Sequence, residues 1–218
     1  MRRVTSVAGV TLRFFMSPAS AEVQKGVVPM EKTELLDLLA DGPVIASVKD
    51  DAGLAAAINS DVAVVFLLYG DVLSVKDLVQ RAHDAGKAVF VHIDLIEGLA
   101  SREVSVDFVA KNTAADGVLS TKVALTRRAK ELGLVAIQRF FLLDSMAISN
   151  IEKHLSPDCS DLIEILPGLM PKIIRRVCGI SGKPVITGGL ITDKEDVTSA
   201  LSAGAVAVST TNPDVWDM

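Results

Sequence analysis

Short apolar runs alternate with stretches of helical character along most of the chain. The apolar runs begin near residues 43, 62, 88, 117, 134, 162, 184 and 205. Segments with helical spacing lie between them, and two of these end at glycine, 75–85 at Gly86 and 122–132 at Gly133. This alternation is typical of α/β proteins with a parallel sheet. Eight strands favour closure of the sheet, so the pattern predicts a compact (β/α)8 barrel of the TIM type.

The beginning of the chain departs from this repeat. Residues 1–29 combine a basic start, a partly apolar middle and an Ala-Ser-Ala ending. A signal peptide has a similar layout, but Arg13 interrupts the apolar run. We therefore expect residues 1–29 to be a disordered N-terminal extension, or an upstream addition from a mis-called start codon. A helix over 31–39 then opens a single barrel domain over residues 30–218.

Composition and charge limit the classes of function. Of the 218 residues, 50% are hydrophobic and the mean hydropathy is +0.41, which fits one domain with a large core. The longest apolar run, 62–69, is far shorter than the roughly 20 residues of a membrane-spanning helix, so we expect no membrane contact. The net charge of −5 gives no bulk attraction for nucleic acid. Cys159 and Cys178 lack CxxC spacing, which favours reduced thiols in a cytoplasmic protein.

Several common catalytic and cofactor motifs are missing from the sequence. The first apolar run is not followed by G-x-G-x-x-G, and neither H-E-x-x-H nor G-x-S-x-G occurs. We therefore expect no cofactor and no zinc. Asp94, Glu97 and Glu164 carry oxygens suited to Mg²⁺, but their spacing alone gives little support for a metal site.

A candidate phosphate site lies in the stretch 183–212. It predicts a strand ending in Gly188 and Gly189, a helix over 193–203, and a strand ending in Ser209 and Thr210. In (β/α)8 barrels, the loops after strands 7 and 8 often hold phosphate on backbone N–H groups. The alternative is a pair of tight turns and a helix cap. The pairing of glycines and hydroxyls across one helix favours phosphate.

Polar residues also mark the ends of other predicted strands, where (β/α)8 barrels carry their chemistry. Asp94, Lys122, Arg139 and Glu164 are the charged candidates for ligand contact. Because side chains alternate along a strand, Glu164 faces the barrel interior if the flanking isoleucines face helices. A buried carboxylate needs a partner, which Arg139, Lys122 or a ligand hydroxyl could supply. A purely structural ion pair remains the alternative.

Alternation leaves two points open. His92 and Asp94 share a face and suit either an acid/base pair or a hydrogen-bonded structural pair. Gln138 and Arg139 point to opposite faces, and the sequence does not decide which of them faces inward.

Seven runs of the sequence carry a resemblance to a known family. They lie at 64–73, 87–99, 115–122, 133–145, 163–172, 186–197 and 204–216. Together they resemble the glycerol-3-phosphate-responsive antiterminators, from about residue 43 to the end. The resemblance implies a TIM barrel that senses glycerol 3-phosphate and binds the leader mRNA of glycerol-utilisation operons. It implies a regulator of transcription and not a catalyst. The family pattern usually starts near Met30, so residues 1–29 are a departure.

The implied RNA partner requires a local basic surface, because the whole chain is acidic. The candidates are Arg127 and Arg128 on one predicted helix and Arg175 and Arg176 on another. Solvated helix faces explain these residues equally well, and a homodimer could also form the surface. Two other functions stay open: an enzyme acting on a triose phosphate or other small phosphorylated substrate, and a ligand-binding protein acting through a protein partner.

Overall fold

The computed structural model describes residues 30–154 and 158–217. In this part of the chain, parallel strands form one closed barrel in sequence order, and the last strand pairs with the first. The strands are β1 (Val44–Val48), β2 (Val64–Leu67), β3 (Ala88–His92), β4 (Gly117–Ser120), β5 (Val135–Phe141), β6 (Leu162–Leu166), β7 (Val185–Gly188) and β8 (Ala207–Thr210). The predicted (β/α)8 barrel is confirmed. The expectation for residues 1–29 lies outside the described residues.

Helices alternate with the strands. They are α1 (Lys32–Asp41), α2 (Asp51–Asn59), α3 (Val75–Asp84), α4 (Glu103–Asn112), α5 (Val123–Glu131), α6 (Ser145–His154), α7 (Pro171–Ser181) and α8 (Lys194–Ser202), with short 3-10 helices at Ile93–Leu95 and Pro213–Val215. The four helices predicted above correspond to α1, α3, α5 and α8, with small shifts at their ends. Among the described residues, no helix is long and apolar enough to cross a membrane.

Two apolar clusters follow from the alternation of side chains along each strand. One face of the strands packs against α2–α8 in the larger cluster. The other face fills the barrel interior, and Leu35 and Leu39 of α1 belong to this inner cluster. Because Met30, Glu31 and Lys32 lie beside the start of β5, α1 covers the N-terminal end of the barrel.

A close approach between strands shapes the middle of the interior. The rings of Phe66 and Phe90 meet edge to face, with centroids 5.9 Å apart and planes at 66°. Gly117 lies against the Phe90 ring, because a Cβ there would stand 2.5 Å from Phe90 Cε1 and 2.3 Å from the Val135 carbonyl oxygen. Real Cβ atoms essentially never come so close, so the packing of β4 requires glycine at this position.

Candidate functional site

The barrel interior changes from apolar to polar toward the carboxyl ends of the strands. The inward-facing residues of the inner cluster are apolar, for example Ile45, Phe90 and Ile137. Two residues further along their strands, alternation brings a polar side chain to the same face. The resulting polar layer consists of Ser47, His92, Arg139, Glu164 and Ser209, all buried. This layer forms the floor of the barrel mouth.

Glu164 is at the centre of this polar layer and is fully buried. Its Oε2 accepts a hydrogen bond from Arg139 Nε at 2.6 Å, and its Oε1 accepts one from Ser209 Oγ at 2.5 Å. A buried carboxylate is tolerated when an opposite charge and hydrogen bonds replace water. Gly188 makes room for the arrangement, since a Cβ at this position would stand 2.2 Å from Ser209 Oγ.

The structure decides which residue of β5 faces the interior. Arg139 points inward and reaches Glu164. Gln138 points to the helix layer, where its Oε1 accepts a hydrogen bond from Thr126 Oγ1 of α5 at 2.8 Å. The predicted inward orientation of Glu164 is also observed, with Ile163 and Ile165 in the outer cluster.

His92 and Asp94 lie together, but not as strand neighbours. The strand ends at His92, and Asp94 lies in the 3-10 helix Ile93–Leu95. Asp94 Oδ2 accepts hydrogen bonds from the Thr121 N–H at 2.7 Å and from Thr121 Oγ1 at 2.9 Å. His92 Nδ1 stands 4.0 Å from Asp94 Oδ2, beyond hydrogen-bond distance. Among the described residues, no hydrogen-bond partner reaches this buried nitrogen.

The surroundings of His92 and Asp94 shift the pKa values of both groups. Burial and the nearby Arg139 charge lower the pKa of His92 to about 4, although the Asp94 charge opposes them. Burial alone would raise the pKa of Asp94, but the hydrogen bonds from Thr121 and the His92 charge hold it below its usual value. Lys122 Nζ lies 3.3 Å from Asp94 Oδ1 and also contacts Ser101 Oγ. His92 is therefore neutral at neutral pH, next to an ionised carboxylate.

A pocket of about 410 Å³ opens above the polar layer. Pockets of a few hundred Å³ are typical of small-ligand sites. Its lining residues are Ser47, Leu68, Arg139, Leu166, Gly189, Leu190, Ile191, Thr192, Ser209, Thr210, Thr211 and Asn212. Of the predicted site residues, Arg139, Gly189, Ser209 and Thr210 thus line this pocket. Gly188 and Glu164 belong to the hydrogen-bonded layer beneath it, whereas Asp94 and Lys122 lie on the β3–β4 side and are not among the lining residues.

Thr210 contributes to the pocket mainly by fixing its loops. Its hydroxyl donates to the Ile191 carbonyl oxygen at 2.9 Å and accepts from the Asn212 N–H at 3.1 Å. The Asn212 side chain donates to the Thr192 carbonyl oxygen at 3.0 Å, which ties the loops after β7 and β8 together. Ser47 was missed from the sequence, whereas Thr211 and Asn212 belong to the predicted phosphate stretch 183–212 but were not among its named site residues. Alternation beyond Ser209 would have indicated Thr211, whereas Ser47 carries no sequence signal beyond one polar residue in an apolar strand.

The loop after β7 contains two successive residues with left-handed backbone. Gly189 has φ +75° and Leu190 has φ +64°, and the Leu190 side chain is 67% exposed. The left-handed region costs a non-glycine residue roughly 1–2 kcal/mol. Unusual backbone of this kind clusters at ligand-binding loops, and here it borders the pocket.

The basic residues predicted to contact RNA have different surroundings. Arg128 of α5 binds Asp107 of α4 at 2.8 Å and Glu131 at 2.8 Å, so its charge is balanced. Arg127 Nη2 lies 3.6 Å from Cys159 Sγ. Arg175 and Arg176 of α7 are exposed, and neither forms an ion pair with a described residue. No group of three or more potential metal ligands occurs within 30–154 and 158–217.

Comparisons with known proteins agree with the fold and extend it. Residues 44–216 match the sequence profile of the family described as glycerol-3-phosphate responsive antiterminator. The uncharacterized protein YgcP of Escherichia coli K12 is 43% identical over 184 residues, covering 84% of this chain and 96% of that protein.

Two solved structures share both fold and sequence with the chain. The glycerol uptake operon antiterminator regulatory protein of Listeria monocytogenes has a TM-score of 0.76 at 32% identity, covering 79% of this chain and 94% of that one. A glycerol uptake operon antiterminator-related protein of Thermotoga maritima has a TM-score of 0.72 at 33% identity, covering 81% and 99%. The profile match spans most of the barrel, and the alignments with these relatives span nearly the full length of each relative. The chain therefore belongs to the glycerol-3-phosphate responsive antiterminator family.

Proposed function

We propose that the protein is an antiterminator that binds glycerol 3-phosphate in the pocket above the polar layer and binds the leader mRNA of a glycerol-utilisation operon. The pocket carries this proposal: it joins a buried, positioned arginine to two backbone turns at the ends of β7 and β8. Family membership supports the same ligand. We place the protein in the cytoplasm, where leader mRNA is made, acting alone or as a homodimer.

The phosphate group would lie against the loops after β7 and β8. Gly188, Gly189, Ser209 and Thr210 shape these loops, and glycine lets backbone approach a ligand closely. Backbone N–H groups in left-handed turns form concavities that attract anions. Arg139 supplies a positive charge at the base of the pocket, and Glu164 and Ser209 fix its orientation. The guanidinium has five N–H donors, so the Nε–H donated to Glu164 leaves others for the ligand.

The glycerol hydroxyls would point toward the β3–β4 side. Asp94 and Lys122 lie there, next to His92, and can accept from and donate to hydroxyl groups. Glu164 is fully buried with both oxygens already accepting, so we assign it to positioning Arg139 instead of direct contact. The neutral His92 can also exchange one hydrogen bond with a hydroxyl.

An enzyme acting on a triose phosphate is the second candidate. The observation that favours it is the neutral imidazole of His92 beside the Asp94 carboxylate, a pairing that suits general acid/base catalysis. A turnover screen with glycerol 3-phosphate and triose phosphates separates the two functions. Product formation that disappears in His92→Gln would establish the enzyme, and unchanged substrate supports the regulator.

The binding test is calorimetry with glycerol 3-phosphate, glycerol and inorganic phosphate side by side. A matched pair of variants locates the site, because Gly189 and Gly86 share φ +75°. A Cβ on Gly86 would meet nothing within 4 Å, and Gly86 lies at the opposite end of the barrel, before β3. Both Gly189→Ala and Gly86→Ala should lose about 1 kcal/mol of stability from backbone strain. Only Gly189→Ala should also lose affinity for glycerol 3-phosphate.

A third variant tests the role of Arg139. Hydrogen bonds to charged groups contribute roughly 1.5–3 kcal/mol, so Glu164→Gln should weaken glycerol 3-phosphate binding about tenfold or more by releasing Arg139.

Equal affinities of wild type and Gly189→Ala for glycerol 3-phosphate would show that the phosphate group does not bind at the loop after β7. Absence of any glycerol 3-phosphate binding by the wild type would contradict the sensor itself.

A further inference from the structure

Helix α7 presents a basic face to solvent. Lys172, Arg175 and Arg176 are exposed and lie three and four residues apart, so they share one side of the helix. The helix contains no acidic residue, although the whole chain has a net charge of −5. None of the three forms an ion pair with another described residue, in contrast to Arg128 of α5. This face is therefore a local concentration of unbalanced positive charge.

Large exposed apolar side chains concentrate at the mouth of the barrel. All those found among the described residues except Ile180 lie at the end of β5, in loops that follow strands or in the first helical turn after them. Next to α7, they form what we call the apolar rim: Phe141, Leu143, Leu169 and Leu190. Phe141 is 51% exposed and Leu143 is 87% exposed. Exposed apolar groups collected on neighbouring loops at one edge of a protein are typical of interaction sites.

Backbone hydrogen bonds connect the apolar rim to the ligand pocket. The Gly168 N–H donates to the Gly189 carbonyl oxygen at 3.1 Å, which joins the loops after β6 and β7. The Leu142 N–H donates to the Leu166 carbonyl oxygen at 2.7 Å, which joins the loops after β5 and β6. A Cβ on Gly168 would stand 2.9 Å from Ile191 Cδ1, so these loops are also in close contact. A shift in the pocket loop therefore reaches the residues just before α7.

We propose that single-stranded RNA binds across the basic face of α7 and the apolar rim, at the edge of the ligand pocket. This inference rests on the proposed function and adds the surface and its connection to the ligand. The charge of α7 complements the phosphate backbone, and an exposed aromatic ring such as Phe141 offers a stacking platform for bases. The combination of basic residues with neighbouring aromatic and apolar groups fits unpaired RNA better than a duplex, whose bases are not available for stacking.

The surface also gives the ligand a route to RNA affinity. A ligand held by the Gly189–Leu190 turn orders the loop that contacts Gly168. In the chain, Gly168 is followed at once by Leu169 and the start of α7. A ligand changes an equilibrium only through different affinities for two states. Here the two states are arrangements of the pocket loop that hold Leu190 and Leu169 differently against the RNA.

The experiment compares two triple charge reversals that change net charge equally. One is Lys172→Glu, Arg175→Glu and Arg176→Glu on the basic face of α7. The control is Lys32→Glu, Lys76→Glu and Lys111→Glu, on α1, α3 and α4. Affinity for a glycerol-operon leader RNA is measured by fluorescence anisotropy against salt, with and without glycerol 3-phosphate. Calorimetry with glycerol 3-phosphate checks the pocket in each variant.

We expect the α7 variant to lose at least tenfold in RNA affinity and to show a flatter salt dependence, by about 2 in the log–log slope for three lost phosphate contacts. Its glycerol 3-phosphate affinity should remain, and the control should bind RNA more nearly like wild type. Phe141→Ala should lower RNA affinity about tenfold through lost stacking. If the α7 reversal does not fold, changing the three α7 residues to Gln, and the three control residues to Gln as well, gives the same comparison at equal net charge.

The other outcomes are distinguishable. No RNA binding by the wild type at low salt and micromolar protein contradicts the proposed function. RNA binding by the wild type and equally by the α7 variant overturns this surface but not the function. Equal losses in both triple variants reduce the effect to bulk charge and overturn it too. Loss of a dimer in Phe141→Ala, with RNA affinity unchanged, would assign the apolar rim to a second copy of the chain.

Discussion

Each oxygen of the Glu164 carboxylate is held by a different strand, Oε2 by Arg139 of β5 and Oε1 by Ser209 of β8. A buried carboxylate of this kind is stabilised by its protein partners and not by water. Removing one member of the ion pair leaves the charge of the other uncompensated. The same layer contains His92, whose Nδ1 lacks a partner among the described residues. At the scale of the residue, the mouth of the barrel is thus a polar floor fixed by hydrogen bonds, in which His92 Nδ1 is a buried position without a partner in the described part of the chain.

The buried His92 should make stability depend on pH. Its pKa is 6.5 in the unfolded reference and about 4 in the folded protein. Between these values the unfolded chain binds more protons, so the free energy of unfolding should fall as the pH falls from 6.5 toward 4, by up to about 3 kcal/mol. Urea unfolding of wild type and His92→Gln across this range measures the effect.

The comparison between the two proteins removes the His92 titration together with its charge effect on Asp94. Asp94, Arg139 and Lys122 face the imidazole and stay in place in His92→Gln. Asp116, whose pKa burial raises, is also common to both proteins. The variant should therefore lose less stability on acidification. Parallel loss in the two proteins would show that another group carries the acid sensitivity.

At the scale of the element, two glycines should respond oppositely to the same change. Gly117→Ala places a Cβ 2.3 Å from the Val135 carbonyl oxygen and should destabilise the barrel by about 1–3 kcal/mol or more, because β4 must shift. Gly179 lies inside α7 with nothing near its Cβ position, so Gly179→Ala should stabilise by about 0.5–1 kcal/mol. Urea midpoints of both variants give the signs. Two losses of similar size would show that the cost at β4 is not steric.

The sequence predicted the elements well because each barrel strand is a continuous apolar run bounded by turn residues. Alternation also correctly oriented Glu164. It failed where the regular strand stops: Asp94 lies in a 3-10 helix, so its proximity to His92 comes from a turn and not from strand geometry. Arg139 versus Gln138 was undecidable because both faces of β5 are buried, and the contacts that distinguish them, of Arg139 with Glu164 and of Gln138 with Thr126, come from other elements.

At the scale of the whole molecule, charge and function are unevenly distributed. The chain carries −5 overall, while α7 carries only positive charges and follows the loop that is hydrogen-bonded to Gly189 of the pocket. The pairing of Arg128 with Asp107 and Glu131 makes α5 a weaker candidate than the sequence indicated. Because the proposed RNA surface lies next to the pocket loop, and not on the opposite side, a small ligand in the pocket would act on residues close to the proposed RNA.

Reciprocity provides the final prediction. If glycerol 3-phosphate and RNA bind two coupled sites, each must change the affinity of the other by the same factor. We expect glycerol 3-phosphate to raise RNA affinity 5–150-fold, roughly the range for coupling free energies of 1–3 kcal/mol, and RNA to raise glycerol 3-phosphate affinity equally. Anisotropy titrations of RNA with and without ligand, and calorimetry of ligand with and without RNA, give the two ratios. In Gly189→Ala both ratios should approach one, because the shared loop is altered, whereas Gly86→Ala should keep them. Ratios of one in the wild type would mean that ligand and RNA bind independently, which would contradict the coupling.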